Sequence, residues 1–457
     1  MMTGHRRFAG LDPGAPLAAG LLAFSLVLGG SGSPAPLLEL TLQCLMAIGA
    51  AVWLLQPQAL SKVPGPAWRI AALILAVPLI QLVPLPPFIW QGLPGRDGMV
   101  AALELVGAED GWRALTLSPS RTVASLLAAS AAVTSLILAA SLAARGRWLL
   151  IGVIAAIGLA TLLIGAAQLS GGAGNPLRFF DPNEVYLTGF QANHNSAADI
   201  ILIAMLAIAA LGRMALDQRL VRLAGLRLAI TVLAANAVLV LGLFLAGSRA
   251  GLALLPLVLT FQYLILQPDR KIRWLRLTMS ASAAAASIAA AFFLLRGNRA
   301  VEQILARFNF DGEFRPELWR DAAFALGQHW PVGSGQGTFV PVMMAAERLE
   351  VVDQTLPNRA HNDYLELAIE AGLPGLLVLA IIAAIVLRAV WLARRDPPAG
   401  SRPQVLFASG TLAVIALHSL VDYPLRSMAL AAVAATAVGL LLTPRPTVQA
   451  ELRGSQP

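Results

Sequence analysis

The residues able to do chemistry are few, and they fall in small groups along the chain. His361, Asn362, Asp363, Glu366 and Glu370 form the densest group. Asp363, Glu366 and Glu370 are three and four apart, a spacing that puts them on one face of a helix. Carboxylates there also suit a plain structural role, an acidic first turn at the positive end of a helix dipole. His361 points further. An imidazole whose ordinary pKa is about 6.5 is the usual general base, and the chain holds only five histidines.

Cationic residues make a second set. Arg249 lies in Gly247-Ser248-Arg249-Ala250-Gly251, a tight turn between two apolar runs. A charge so near hydrocarbon is costly and faces a cavity or a partner, or else snorkels to the interface. Arg315 precedes, and Arg320 lies on, a stretch from Pro316 to Trp330 in which Leu318, Ala322, Ala325 and Leu326 recur at helical spacing and Pro316 suits the first turn. Each of these two arginines also reads as a surface charge paired with Glu317 or Asp321. A guanidinium fork fits phosphate oxygens. Two arginines and one histidine meeting in a cavity would hold a pyrophosphate and deprotonate a hydroxyl. Asn193-His194-Asn195 stands at the entrance of another apolar run, where His194 serves either as a contact to sugar or phosphate or as an interfacial cap. His418 and Asp422-Tyr423-Pro424 close a further one. Gly333-Ser334-Gly335-Gln336-Gly337 lacks the Lys-Ser/Thr of a nucleotide loop and reads as a flexible tight turn. No His-x-x-x-His or similar metal spacing occurs, so no metal site is expected.

The elements that position these residues follow from composition. Of 457 residues, 57% are hydrophobic and 13% charged, with mean hydropathy +0.72. Soluble domains carry about 25% charge, so a soluble enzyme, a disordered chain and a nucleic-acid-binding domain are all excluded. A net charge of +8 does not restore the last of these, because the basic residues lie in short runs between apolar segments instead of on one soluble face. Cys44 is a lone thiol in an apolar run and is expected to be buried as packing.

At about 20 apolar residues per crossing, twelve spans are expected: 15–31, 37–55, 68–90, 122–143, 148–169, 197–212, 228–246, 250–267, 277–295, 366–392, 404–421 and 427–442. The fold class is therefore all-α and polytopic. A nine-span membrane region over 1–295 precedes a large loop at 296–365, three spans over 366–443 and a short tail at 444–457. With the N-terminus in the cytoplasm, inner segments hold 20 of the 33 Lys and Arg residues and five of the 25 Asp and Glu residues. That bias places both termini inside. Arg6 and Arg7 before the first apolar run also suit a signal peptide, though an uncleaved first helix is preferred. Outer segments 91–121, 170–196 and 296–365 exceed ordinary loop lengths. The last, with helical spacing over Val301–Phe308 and Pro316–Trp330, is expected to be a partly helical cap.

Taken together the motifs resemble a known family. His361-Asn362-Asp363-Tyr364-Leu365-Glu366 with Glu370-Ala371-Gly372-Leu373-Pro374-Gly375 resembles the re-entry motif of the O-antigen ligase and polymerase superfamily. Gly247-Ser248-Arg249 is similar to its arginine turn, and Trp319-Arg320 through Thr338-Phe339 to its large-loop helix and glycine turn. Gly189 to Ala197 is similar to another of its signatures, although His194 stands where relatives often have proline. The resemblance implies transfer of a glycan from undecaprenyl pyrophosphate to an acceptor hydroxyl on the periplasmic face of the inner membrane, with no metal, cofactor or nucleotide sugar. The acceptor would be a glycan, lipid A core or a protein hydroxyl, which leaves ligase, polymerase and protein O-glycosylation open. The resemblance also implies that His361 acts as base or orients the acceptor. Arg249 and Arg320 would bind the pyrophosphate, with Arg315 as the alternative to Arg320, and Asn362, Glu366, His194 and Asn195 would complete the substrate contacts. A lipid-linked glycan flippase is the rival reading. It would favour a midplane site and internal repeats, and neither is evident.

Overall fold

The computed structural model describes residues 12–31, 35–171, 174–180, 186–217, 224–267, 314–350, 352, 356–395 and 401–442. Helices dominate: α1 (Gly14–Leu28), α2 (Pro36–Leu54), α3 (Gly65–Gln81), α4 (Pro87–Trp90), α5 (Asp97–Glu104), α6 (Pro119–Ser141), α7 (Ala144–Gly171), α8 (His194–Asp217), α9 (Ala224–Leu245) and α10 (Arg249–Leu266). They continue with α11 (Arg315–His329), α12 (Phe339–Ala346), α13 (Asp363–Arg395), α14 (Arg402–His418) and α15 (Met428–Leu441). A two-residue antiparallel pair, β1 (Pro84–Leu85) with β2 (Arg113–Ala114), is the strand content of the described residues. Several helices start where proline sits in the first turn, as at Pro36, Pro66, Pro119, Pro316 and Pro403. There its missing N–H costs nothing and its φ is already helical.

Among the described residues six helices are long and apolar enough to cross a membrane: α2, α6, α7, α8, α10 and α13. The chain is a multi-pass membrane protein. Shorter apolar helices coincide with the first, third, seventh and twelfth expected spans, α14 occupies the eleventh, and the ninth lies outside the described residues. The third is shorter than expected. Its helix ends at Gln81, because Pro84, Pro86 and Pro87 turn the chain into β1 and the short α4.

At the centre stands α8, whose residues Ile200 to Ala207 are all at most 1% exposed, enclosed by α7, α9, α10 and α14. Lipid tails give helices no hydrophobic drive to associate, so close approach of small residues does the work. A Cβ on Gly158 of α7 would sit 2.3 Å from Ala204 Cβ of α8, and one on Gly439 of α15 2.7 Å from Ala139 Cβ of α6. Outward faces of α2 and α13 stay apolar and exposed, as at Leu37, Ile48, Ile381 and Leu387. Cys44 is on this outer face of α2, exposed and not buried. The apolar run around it faces lipid, so hydrophobicity there did not mean a protein interior.

Within the expected large loop the structure has two helices, α11 and α12, while Val301–Phe308 lies outside the described residues. Helix α11 matches the expected Pro316–Trp330 to one residue. Its Leu318, Ala322 and Ala325 join Phe339, Val342, Met343 and Ile369 in a second apolar core, separate from that of the bundle, with Leu117 packed against it. Leu117 N–H also donates to Ser334 O (2.8 Å), and Thr122 Oγ1 to Gln336 O (2.8 Å). Segment 82–118 and the stretch that holds α11 and α12 thus pack together.

Candidate active site

His361 sits just before α13 and has φ +47°, a left-handed conformation that a non-glycine residue adopts only when its surroundings impose it. The hold on it is visible. Its Nδ1 lies 2.9 Å from Asp422 Oδ1, in the loop after α14. Its ring packs edge-on against Tyr423 at 4.8 Å and Phe314 at 5.2 Å. Asn362 caps α13, its Oδ1 accepting from Tyr364 N–H (3.1 Å) and Leu365 N–H (3.0 Å), as an N-cap side chain does.

Asp422 ties this corner to α8. Its Oδ2 accepts from Asn193 Nδ2 (3.2 Å), and Asn193 Oδ1 in turn accepts from Asn195 N–H (2.8 Å). Burial pushes the Asp422 carboxyl up, but the hydrogen bond from His361 and the charges of His418, His361 and Arg315 outweigh it and hold the group below the usual carboxylate range. Next along the chain, His194 Nδ1 is 2.9 Å from Ala246 O, and its ring is 4.8 Å from that of Tyr186. Ala246 leads directly into the arginine turn. Gly247 takes φ +63°, where a Cβ would meet the Tyr186 ring at 2.8 Å. Ser248 caps α10 by accepting from Gly251 N–H (3.0 Å), and Arg249 is the first residue of that helix.

Arg315 and Arg320 part company. Arg315 opens α11, with its guanidinium 5.7 Å from the Phe314 ring centroid, and Phe314 is the residue that packs on His361. Its charge acts on both Asp422 and His418. Arg320, more than a turn along, is exposed. The starts of α11 and α13 therefore lie beside His361, that of α8 is joined to it through Asn193 and Asp422, and that of α10 is tied to α8 through His194 and Ala246; helix N-termini favour anions.

Beneath His361 lies a buried ionic core that sequence reading did not assemble. Arg426, in the turn between α14 and α15, donates to Glu370 Oε2 (2.6 Å) and lies 3.3 Å from Glu366 Oε1 and 3.5 Å from Asp363 Oδ1. These three carboxylates raise its pKa against the opposing effect of burial. Glu366 is fully buried. It accepts from Arg359 Nη1 (3.0 Å) and Ala360 N–H (2.9 Å), so it positions the segment that carries His361. Glu370 Oε1 accepts from Gly337 N–H (2.9 Å) and Phe339 N–H (3.2 Å), and Gly335 N–H donates to Glu370 O (2.8 Å). The glycine turn is a packed clamp, not a free flexible loop. A Cβ on Gly335 would fall 1.8 Å from Thr116 Oγ1. A second histidine–carboxylate pair, His418 Nδ1 to Asp199 Oδ1 at 2.6 Å, is wholly buried behind Asp422. Among the described residues no group of three or more His, Cys, Asp or Glu is arranged to hold a metal ion.

Residues 234–380 match the family model described as O-antigen ligase. That stretch takes in Arg249, Arg315, Arg320, His361, Glu366 and Glu370. Over that stretch, about a third of the chain, the sequence is similar to the O-antigen ligase family. No curated protein matches the sequence. His194, Asp422 and Arg426 lie outside the O-antigen ligase match and reach its residues only through the fold. Asp422 and Arg426 had a faint sequence signal: both are charged residues in a short turn between apolar runs, which is costly unless they are paired.

Proposed function

We propose that the protein transfers a glycan from undecaprenyl pyrophosphate to an acceptor hydroxyl at the periplasmic face of the inner membrane. The observation that carries the reading is His361 itself: a strained residue, fixed by Asp422, beside the starts of α11 and α13 and within the residues that match the O-antigen ligase model. Asp422 accepts at Nδ1, which selects the tautomer with the lone pair on Nε2. That nitrogen takes the acceptor proton as the hydroxyl oxygen attacks the anomeric carbon. The bond from this carbon to the pyrophosphate oxygen breaks, and attack from the opposite side inverts the centre. Arg249 and Arg315 receive the charge that grows on the departing undecaprenyl pyrophosphate, an effect that is strong in a water-poor site with preorganised donors. We assign the second phosphate contact to Arg315, since it faces Asp422 while Arg320 is exposed. Asn362 and Glu366 set the backbone of His361, and His194 with Asn195 holds the arginine turn beside it. No step calls for a metal or a nucleotide sugar.

The test is a set of single alanine replacements of His361, Arg249 and Arg315 in cells, with membrane levels checked. Each variant is expected to accumulate lipid-linked glycan and lose its transferred product. Normal transfer in all three would overturn the reading. Mass spectrometry of the surface glycans in the same cells separates lipid A core, growing glycan and protein as acceptor.

A further inference from the structure

At the end of the bundle remote from His361 there is a cavity, of about 330 Å³, between the ends of α3, α7, α13, α14 and α15. Its position is fixed by chain direction. Helix α3 presents Arg69 to it and ends at Gln81 beneath Glu370, while α14 presents Gln404 and ends at His418. On α13, Arg388 stands 25 residues past Asp363, beyond the break at Gly372 (φ +57°, ψ −154°) and near the opposite end of the element. The lining is sharply divided. Arg69, Arg147 and Arg388 supply three guanidinium groups, and Leu392 and Leu441 belong to an apolar wall. Among the described residues no carboxylate lines it, and none of the three arginine side chains has a hydrogen bond or ion pair there. Burial lowers the pKa of Arg96, on the cap, to about 10; that arginine at least donates to a carbonyl, Leu115 O. The cavity arginines lack even such a partner.

Arg147 is half-buried and Arg69 and Arg388 are exposed at the rim, and basic pockets between membrane helices hold acidic lipid head groups. We propose that this cavity binds the phosphate head group of an anionic phospholipid. Arg69, Arg147 and Arg388 take the phosphate oxygens, and the leucine wall takes the start of an acyl chain. A free anion would use the arginines alone and leave the apolar wall bare, which is why the lipid is preferred. The site is separate from the transfer site and does not depend on its assignment.

The experiment uses the full chain purified in detergent, with native mass spectrometry to count bound phosphatidylglycerol. One retained lipid is expected, displaced neither by phosphatidylcholine nor by inorganic phosphate. Arg147→Gln and Arg388→Gln should each weaken retention about fivefold, whereas Arg147→Lys and Arg388→Lys should keep most of it. The exposed Arg394→Gln serves as control and should change nothing. Unaltered binding in both glutamine variants, or equal binding of phosphatidylcholine, overturns the proposal. Displacement by inorganic phosphate at comparable concentration overturns the lipid assignment in favour of a soluble anion. If the glutamine variants unfold, the lysine variants decide: loss of the lipid from folded Arg→Lys proteins also counts against a site built on charge.

Discussion

His361 combines strain and chemistry in one residue, and the two can be separated by substitution. His361→Ala and His361→Gly should both abolish transfer, since a general base contributes about 10²–10⁴-fold. Glycine tolerates φ +47° and alanine does not, so His361→Gly should be the more stable of the two by about 1 kcal/mol, read by thermal unfolding in detergent. The arginines divide in the same way. Arg249→Ala and Arg315→Ala should each lower transfer about 10²-fold or more, and Arg320→Ala should stay near wild type in a membrane assay with lipid-linked donor. Asp422 has a pH signature. Its carboxyl is held below the ordinary range, so its stabilising contribution is complete above about pH 4 and is lost as pH falls through the lower, folded-state pKa. Asp422→Asn should remove that part of the acid unfolding curve. A variant that unfolds at the same low pH as wild type, with the same slope, would rule out the contribution.

Between elements, the decisive contacts run through Glu370 and Arg426. Glu370 joins α13 to the glycine clamp and to the turn after α14 in a single side chain. Glu370→Ala leaves Arg426 one carboxylate short and two N–H groups unmet inside the protein. A loss of about 3–5 kcal/mol is expected, measured by unfolding in detergent. Gly335→Ala has no charge to change, yet its Cβ cannot share space with Thr116. It should open the seam between the cap and residues 82–118 and reduce transfer while the bundle stays folded. The acidic trio at the start of α13 illustrates how far spacing carries. Its shared helix face was legible from intervals of three and four. That the face turns inward onto Arg426 was not, because the partner lies 56 residues further on, beyond another helix.

For the whole molecule the testable matter is sidedness. Cys44 is exposed on α2, so a Cys44→Ser background is needed before new cysteines are introduced. Cysteines on the cap, at Arg320 or Gln328, should react with a membrane-impermeant maleimide added to the periplasmic face. Cysteines at Arg145 or Arg213 should be protected until the membrane is opened. Labelling of the cap only from the cytoplasm would sink the orientation and the proposed reaction with it. The same map places the arginine-lined cavity in the cytoplasmic half, since it and His361 occupy opposite ends of α13.

Sequence alone determined what depends on local composition and spacing. Scarce charge demanded a membrane, proline and apolar runs placed the helices, and the motif around His361 pointed to the family. Where hydrophobicity alone was asked to decide inside from outside it failed, as at Cys44, since lipid and protein interior are equally apolar. Only the tertiary structure set Arg315 beside Phe314 and left Arg320 exposed, paired His361 with Asp422, joined Glu366 to Arg359 and Ala360, and packed 82–118 against the glycine turn. The physical reason is common to all four. A charge or a strained backbone at a membrane edge is stable only with a specific partner, and here the partners come from other helices at separations that no local pattern encodes.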